Sequence, residues 1–212
     1  MNKDNTKPNR KHPRLKEYDY SSAGAYFITI CTQNKQQLLS HISTVCPENN
    51  ITTVGWEHPP NNDIRHSDNS LTAVGRGFAP ALKNKPAARN CIIGKNLVRL
   101  ELTPLGKIAE KQLLLLEERF PNLKINQYVI MPDHIHILLT LIPLSAGASP
   151  RPTIPDIICA YKSLTTKECK EVSSIKKLFQ SSYYDHIIRG KDDFDEARKY
   201  ICENPLRSYY KK

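Results

Sequence analysis

The stretch Tyr128-Val129-Ile130-Met131-Pro132-Asp133-His134-Ile135-His136-Ile137-Leu138-Leu139 decides the reading of this chain. Two runs of β-branched and other apolar residues, 124–131 and 134–141, flank Pro132-Asp133. Proline and aspartate favour turns, so the spacing predicts an antiparallel hairpin. Side chains alternate along a strand. His134 and His136 therefore face one way, while Ile135, Ile137 and Leu139 face the other, toward a core. Two imidazoles on one strand face make half of a divalent-metal site. Taken alone, such a pair is more often structural than ligating.

Working outward, Ala25-Tyr26-Phe27-Ile28-Thr29-Ile30-Cys31-Thr32 reads as a central strand, rich in β-branched and aromatic residues. Residues 41–95 change character, with abundant Pro, Asn, Gly and Ser and no sustained apolar period. They read as a long loop insertion into the domain. An imperfect repeat lies inside it: Thr52-Thr53-Val54-Gly55-Trp56 recurs as Thr72-Ala73-Val74-Gly75-Arg76. Two copies are too few for a solenoid. A short strand is expected at 96–102 and a helix at 105–120, stopped by Pro121. Thr153-Ile154-Pro155-Asp156 gives a capping box for a second helix, with Ile154, Ile157, Ile158, Tyr161 and Leu164 as its buried stripe. A strand at 182–189 and a last helix at 192–204 complete the pattern. This order predicts an α+β sandwich, a mostly antiparallel sheet with helices packed on one face.

The 212 residues suffice for one domain with an insertion. A formal net charge of +10 and a pI near 9.3 favour a polyanionic partner, nucleic acid first and an anionic membrane surface second. No apolar run approaches the ~20 residues of a membrane span. Residues 1–16 carry Lys3, Lys7, Arg10, Lys11, Arg14 and Lys16 with no apolar segment, so they do not read as a secretory signal. They read either as a disordered, solvated tail or as an arm that contacts phosphates. The six cysteines are scattered without a C-x-x-C pair, as expected of reduced thiols in a cytosolic protein.

In the last helix, Phe194, Ala197 and Ile201 share one face at ~100° per residue. Tyr200 and Asn204 stand one above the other on its flank. An amide carbonyl is a reasonable hard-oxygen ligand for Mg²⁺ or Mn²⁺, and a phenol one turn away would lie close to a phosphate bound there. Pro205 biases Asn204 away from the α region, so the helix is expected to stop near 203–204. Residue by residue the evidence is modest: a tyrosine beside a helix stripe is more often core than catalytic.

Several segments together resemble a known family. They are Tyr18-Asp19-Tyr20 with Ala25 to Thr32; Tyr128 to His136; Phe179-Gln180 with Tyr183-Tyr184-Asp185-His186-Ile187-Ile188-Arg189; and Tyr200-Ile201-Cys202-Glu203-Asn204-Pro205. The chain resembles the single-tyrosine HUH transposases, and within them the REP-associated tyrosine transposases of bacteria. The resemblance covers most of 17–40 and 96–210, with 17–212 as one transposase domain interrupted at 41–95. The interruption is longer than the family's usual short hairpin. The resemblance implies a ferredoxin-like antiparallel sheet, the HUH nuclease fold. It implies His134, His136 and Asn204 as ligands of Mg²⁺ or Mn²⁺, and Tyr200 as nucleophile. It implies a metal-dependent transposase and endonuclease, cytoplasmic and nucleoid-associated. The implied reaction cleaves and rejoins single-stranded DNA through a 5′-phosphotyrosine, at hairpins or palindromic repeats, in a monomer or a homodimer.

A phenol of ordinary acidity is protonated at neutral pH, so a proton acceptor is expected. His186 is a candidate, although a packing or hydrogen-bonding role is the more common one for such a histidine. Asp133 either orients a histidine or occupies the turn, and the turn is the simpler reading. Lys162 and Arg189, with Arg10, Lys11 and Arg14 of the tail, are candidate DNA contacts. Two other readings stay open. One is a non-catalytic protein that binds DNA hairpins on the same fold. The other is a zinc-dependent hydrolase using the histidine pair.

Overall fold

In the computed structural model, the residues described are 18–45, 90–93, 96–143 and 152–210. In chain order the elements are β1 (Gly24–Cys31), β2 (Ser40–Val45), β3 (Asn90–Ile93), β4 (Asn96–Leu102), α1 (Pro104–Leu114), α2 (Leu116–Arg119), β5 (Leu123–Ile130), β6 (His134–Leu141), α3 (Ile154–Val172), β7 (Tyr184–Ile187) and α4 (Lys191–Tyr210). The hairpin read around Pro132-Asp133 is β5–β6, closed by Met131 N–H donating to the His134 carbonyl at 2.8 Å.

The main sheet has the order β5-β6-β1-β7, with each neighbouring pair antiparallel. Setting aside β2 to β4, the chain runs strand, helix, strand, strand, helix, strand, which is the ferredoxin-like arrangement. The first crossover carries α1 and the second carries α3, and these two helices pack on each other. Ile28 and Ile30 of β1, Ile135, Ile137 and Leu139 of β6, and Ile157, Ile158 and Tyr161 of α3 form the main core with Ala109 and Leu113 of α1. Each fully buried aliphatic side chain contributes roughly 1.5–3 kcal/mol. The Tyr161 hydroxyl, buried within this layer, donates to the Ala109 carbonyl at 3.1 Å and is thereby satisfied.

α3 begins as its sequence indicates. Thr153 accepts from the Asp156 N–H, and the Asp156 carboxylate accepts from the Thr153 N–H, a complete capping box. Leu164 is only half-buried, and the stripe continues instead through Thr165 and Cys169. Thr165 can be buried because its hydroxyl donates to the Tyr161 carbonyl at 2.7 Å. At the start of α1, Gly106 lies so close to the Leu39 carbonyl that any β-carbon would collide with it.

Three expectations are corrected. The 41–95 segment is not loop at its ends: β2 takes residues 40–45 and β3 takes 90–93, and both pair antiparallel with β4 in a second sheet of order β2-β4-β3. Its interior, 46–89, with the imperfect repeat, lies outside the described residues, as does the basic tail. The one-sided arrangement of helices describes α1 and α3, whereas α4 covers the opposite face. That face also carries apolar residues, Val129 and Leu138, and Ala197 and Ile201 bury them together with Met131 and Leu100 of β4. Finally, α4 runs through Pro205 to Tyr210. Pro205 and Asn204 are both buried, and that packing offsets the backbone hydrogen bond a proline cannot make.

Candidate active site

The face of the sheet under α4 is set out by strand register. Directly opposed residues of an antiparallel pair share a face. One row therefore runs Val129, His136, Thr29, Tyr184, and the next contains Leu138, Phe27 and His186. Ile135 and Ile137 fall on the other face, in the main core, as the alternation indicated.

His134 and His136 lie side by side, ring centroids 4.6 Å apart. His136 is 5% exposed. Burial drives its pKa down to about 3, with the charge of neighbouring His134 adding to the effect, so the ring is neutral across the physiological range. Its Nδ1 is 2.8 Å from the Thr29 hydroxyl, and its Nε2 is buried with no hydrogen-bond partner. A neutral imidazole whose Nδ1–H donates to Thr29 keeps a lone pair on Nε2, the form in which histidine binds a metal. Asp133 is more than a turn residue. Its carboxylate is 2.6 Å from His134 Nδ1, which fixes the tautomer that leaves His134 Nε2 as an acceptor. The Asp133 carbonyl in turn accepts from the Thr32 N–H at 2.9 Å and hydroxyl at 3.0 Å, pinning the turn to the end of β1.

Tyr200 reaches this pair from α4. Its ring lies 5.2 Å from His136 and 5.8 Å from Phe27, edge-on to both. It is 37% exposed, so the phenol is packed yet accessible. Arg207, two turns on, holds its guanidinium 5.6 Å from the Tyr200 ring centre. Glu203 fixes that guanidinium with a 2.8 Å ion pair. Asn204 is buried one turn beyond Tyr200, and no hydrogen bond joins it to either histidine.

A cavity of about 390 Å³ opens beside Tyr200, lined by Phe27, His186, Asp193, Glu196, Ala197 and Tyr200. His186 is exposed and hydrogen-bonded. Its Nε2 is 3.0 Å from both Asp193 oxygens. The Asp193 carboxyl is held below its usual range, first by the Arg189 N–H and then by His186. The described residues thus bring together Tyr200, His134, His136, Asp133 and, around the cavity, His186. Lys162 is elsewhere, whereas Arg189 meets the rim of this cavity through its N–H, 2.8 Å from Asp193 Oδ2. Lys162 Nζ donates to the Ser181 carbonyl at 2.8 Å on the α3 side, and Arg189 is an exposed residue before α4. Arg10, Lys11 and Arg14 lie outside the described residues. Among the described residues, no group of three or more His, Cys, Asp or Glu side chains converges on one point. An ion at the histidine pair would need its remaining ligands from an amide, a substrate or water.

Sequence reasoning missed Thr29, Phe27, Asp193 and Arg207. The first two were visible only as alternate residues of a strand whose partner was unknown. Asp193 stood only as a residue in the first turn of the expected last helix. Arg207 fell beyond the expected helix end, although its i+7 spacing from Tyr200 places it on the same face.

No family model matches the chain. A protein of Haemophilus influenzae, described as uncharacterized, is 26% identical over 212 residues, spanning 93% of this chain and 88% of that protein. A solved structure of a REP-associated tyrosine transposase bound to a REP hairpin aligns with 92% of this chain and 74% of its own, at 16% identity and a TM-score of 0.48.

Proposed function

We propose that this chain binds DNA and cleaves and rejoins single strands through a covalent tyrosine linkage, as a transposase-like nuclease. The observation that carries the reading is the meeting of an accessible Tyr200 with a neutral His136 whose buried Nε2 has no partner, beside His134 oriented by Asp133. The motifs that resemble the single-tyrosine HUH transposases and the +10 net charge support it.

The residues fit a divalent ion. His134 and His136 would hold Mg²⁺ or Mn²⁺ with Asn204 as the oxygen ligand, and the bound ion would supply Lewis-acid polarisation of the scissile phosphate. Asp133 and Thr29 hold the two imidazoles in the ligating tautomer. The Tyr200 oxygen attacks phosphorus, forming a 5′-phosphotyrosine and releasing a 3′-hydroxyl. We assign the phenolic proton to His186, which bonds Asp193 and lines the cavity beside Tyr200. Arg207 brings positive charge to the developing phenolate. A 3′-hydroxyl later attacks the linkage and reseals a strand. The phosphodiester energy is conserved, so no nucleotide triphosphate is consumed.

The test uses end-labelled single-stranded DNA carrying a hairpin, incubated with the protein and Mn²⁺ and resolved under denaturing conditions. A covalent adduct that disappears in Tyr200→Phe and persists in Tyr184→Phe supports the assignment. An adduct undiminished in Tyr200→Phe sinks it.

A further inference from the structure

The cavity beside Tyr200 carries the wrong charge for a phosphate. Its wall on α4 is made by Asp193, Glu196, Ala197 and Tyr200, spaced i, i+3, i+4 and i+7 on one helix face. The facing wall is Phe27 of β1 and His186 of β7, directly paired across the two strands. Among the described residues, two carboxylates line the cavity and no lysine or arginine does. In a chain of net charge +10 this is a local reversal of sign. The other direction along α4 is basic. Arg207 stands as far beyond Tyr200 as Asp193 stands before it, with its guanidinium 5.6 Å from the Tyr200 ring centre. A phosphate is therefore drawn to the Arg207 side of the phenol and repelled from the cavity.

The two carboxylates differ. Asp193 is engaged, accepting from the Arg189 N–H and bonding His186 Nε2. Glu196 has no such duty. It lies past the first turn of α4, where acids complement the helix dipole. Lys199, its neighbour at i+3, reaches Glu203 at 3.9 Å instead. Glu196 makes no hydrogen bond or ion pair among the described residues. The rest of the lining is small or aromatic, and Ala197 leaves room between helix and sheet. At about 390 Å³ the cavity falls within the ~300–1,000 Å³ of small-ligand sites. Aromatic walls with one free carboxylate suit a flat ring that presents hydrogen-bond donors.

Of the four DNA bases, guanine alone sets two donors side by side, N1–H and the N2 amino group, and one carboxylate accepts both. Thymine meets a carboxylate with two carbonyls around a single N–H, which repels it. We infer that the cavity is a guanine pocket: an unstacked base enters between α4 and β7, packs against Phe27, and is held at its Watson–Crick edge by Glu196. The inference rests on the single-stranded DNA reading of the preceding subsection and adds how the strand is set in register. With one base fixed in the cavity and a phosphate drawn toward Arg207, a defined linkage lies at Tyr200. Glu196 is thus a specificity residue, separate from the groups that move protons or hold a metal.

The test measures binding by fluorescence anisotropy with a chelator present, so that no strand is cut. The probes are thymine oligomers of about 12 nucleotides, a length that fills a single-strand groove. They carry one central guanine, inosine or adenine, or thymine throughout; inosine is guanine without its amino group. The proteins are the full chain and its Glu196→Gln variant. Glu196 is exposed, and a circular-dichroism spectrum checks the fold. The unaltered chain should prefer the guanine probe to the all-thymine probe about tenfold or more, as a bidentate pair does, and inosine should lose most of that preference. Glu196→Gln should reduce the preference to about twofold or less. The all-thymine probe should bind that variant as well or better, because a negative charge beside the strand is gone. A damaged fold would weaken every probe instead. No guanine preference in the unaltered chain, a preference unchanged in Glu196→Gln, or adenine bound as tightly as guanine overturns the proposal. A Glu196-dependent guanine preference without any Tyr200 adduct would support the pocket and overturn the nuclease assignment alone.

Discussion

Replacing His136 with glutamine should remove a large part of the acid sensitivity of this fold. The unfolded chain takes up a proton on His136 as the pH falls through about 6.5. The folded protein resists protonation until about pH 3, because the ring is buried and sits beside His134. Between those values the unfolded state binds more protons, so stability falls with pH, and outside them the contribution is flat. The whole window is worth on the order of 5 kcal/mol at ~1.4 kcal/mol per pKa unit, and the part down to about pH 4.5 roughly 3 kcal/mol. Glutamine can still bond Thr29 and does not titrate. Urea unfolding followed by circular dichroism, near pH 7 and near pH 4.5 with a chelator present, gives the loss of stability for each protein. The carboxylates and other histidines titrate in both, so subtraction isolates His136. Wild type should lose about 3 kcal/mol more than His136→Gln. His134→Gln should keep most of that excess, since burial is the larger cause. Equal losses in wild type and His136→Gln would refute the reasoning and place a water or solvent path at the ring.

Three further outcomes follow from the same structure. Gly106→Ala should destabilise by roughly 2–4 kcal/mol, because the new β-carbon meets the Leu39 carbonyl at the start of α1; a denaturant midpoint within error of wild type would count against that contact. Thr153→Ala removes the α3 cap and should cost about 1 kcal/mol, read as a drop in Tm. Asp133→Asn should weaken Mn²⁺ binding by about 10–100-fold in titration calorimetry, since the carboxylate at 2.6 Å orients His134. Unchanged Mn²⁺ affinity in that variant would show that Asp133 serves only the turn.

Elements with strong local signals were legible in the sequence. The alternation through His134 to Leu139 gave both the strand and the partition of histidines from core. Thr153 and Asp156 gave the start of α3 because a cap is made by neighbours in the chain. The second sheet was not legible, since β2 pairs with β4 across the long segment 46–89 and β3 has only four residues. The end of α4 was misjudged because a proline rule describes local backbone preference, whereas burial of Asn204 and Pro205 is a tertiary effect. At the site, His134, His136 and Tyr200 were named from the sequence and lie together. The residues around them, Thr29 and Phe27 against His136 and Asp193 on the cavity wall, depend on register and packing that no local spacing encodes.

The unequal anchoring of the two halves of the site has a dynamic consequence. His134 and His136 belong to β6, paired on both edges in the middle of the main sheet, with the large core behind it. Tyr200 belongs to a helix seated on a much smaller apolar cluster, between that sheet and strands of the second one. Cooperative units held by less buried surface open at lower free energy. The amides of α4 should therefore exchange with solvent hydrogen well before those of β6. Tyr200 can leave and return while the imidazoles stay fixed, which, on the function proposed above, would let a long DNA strand be threaded into the site without unfolding the sheet that awaits it.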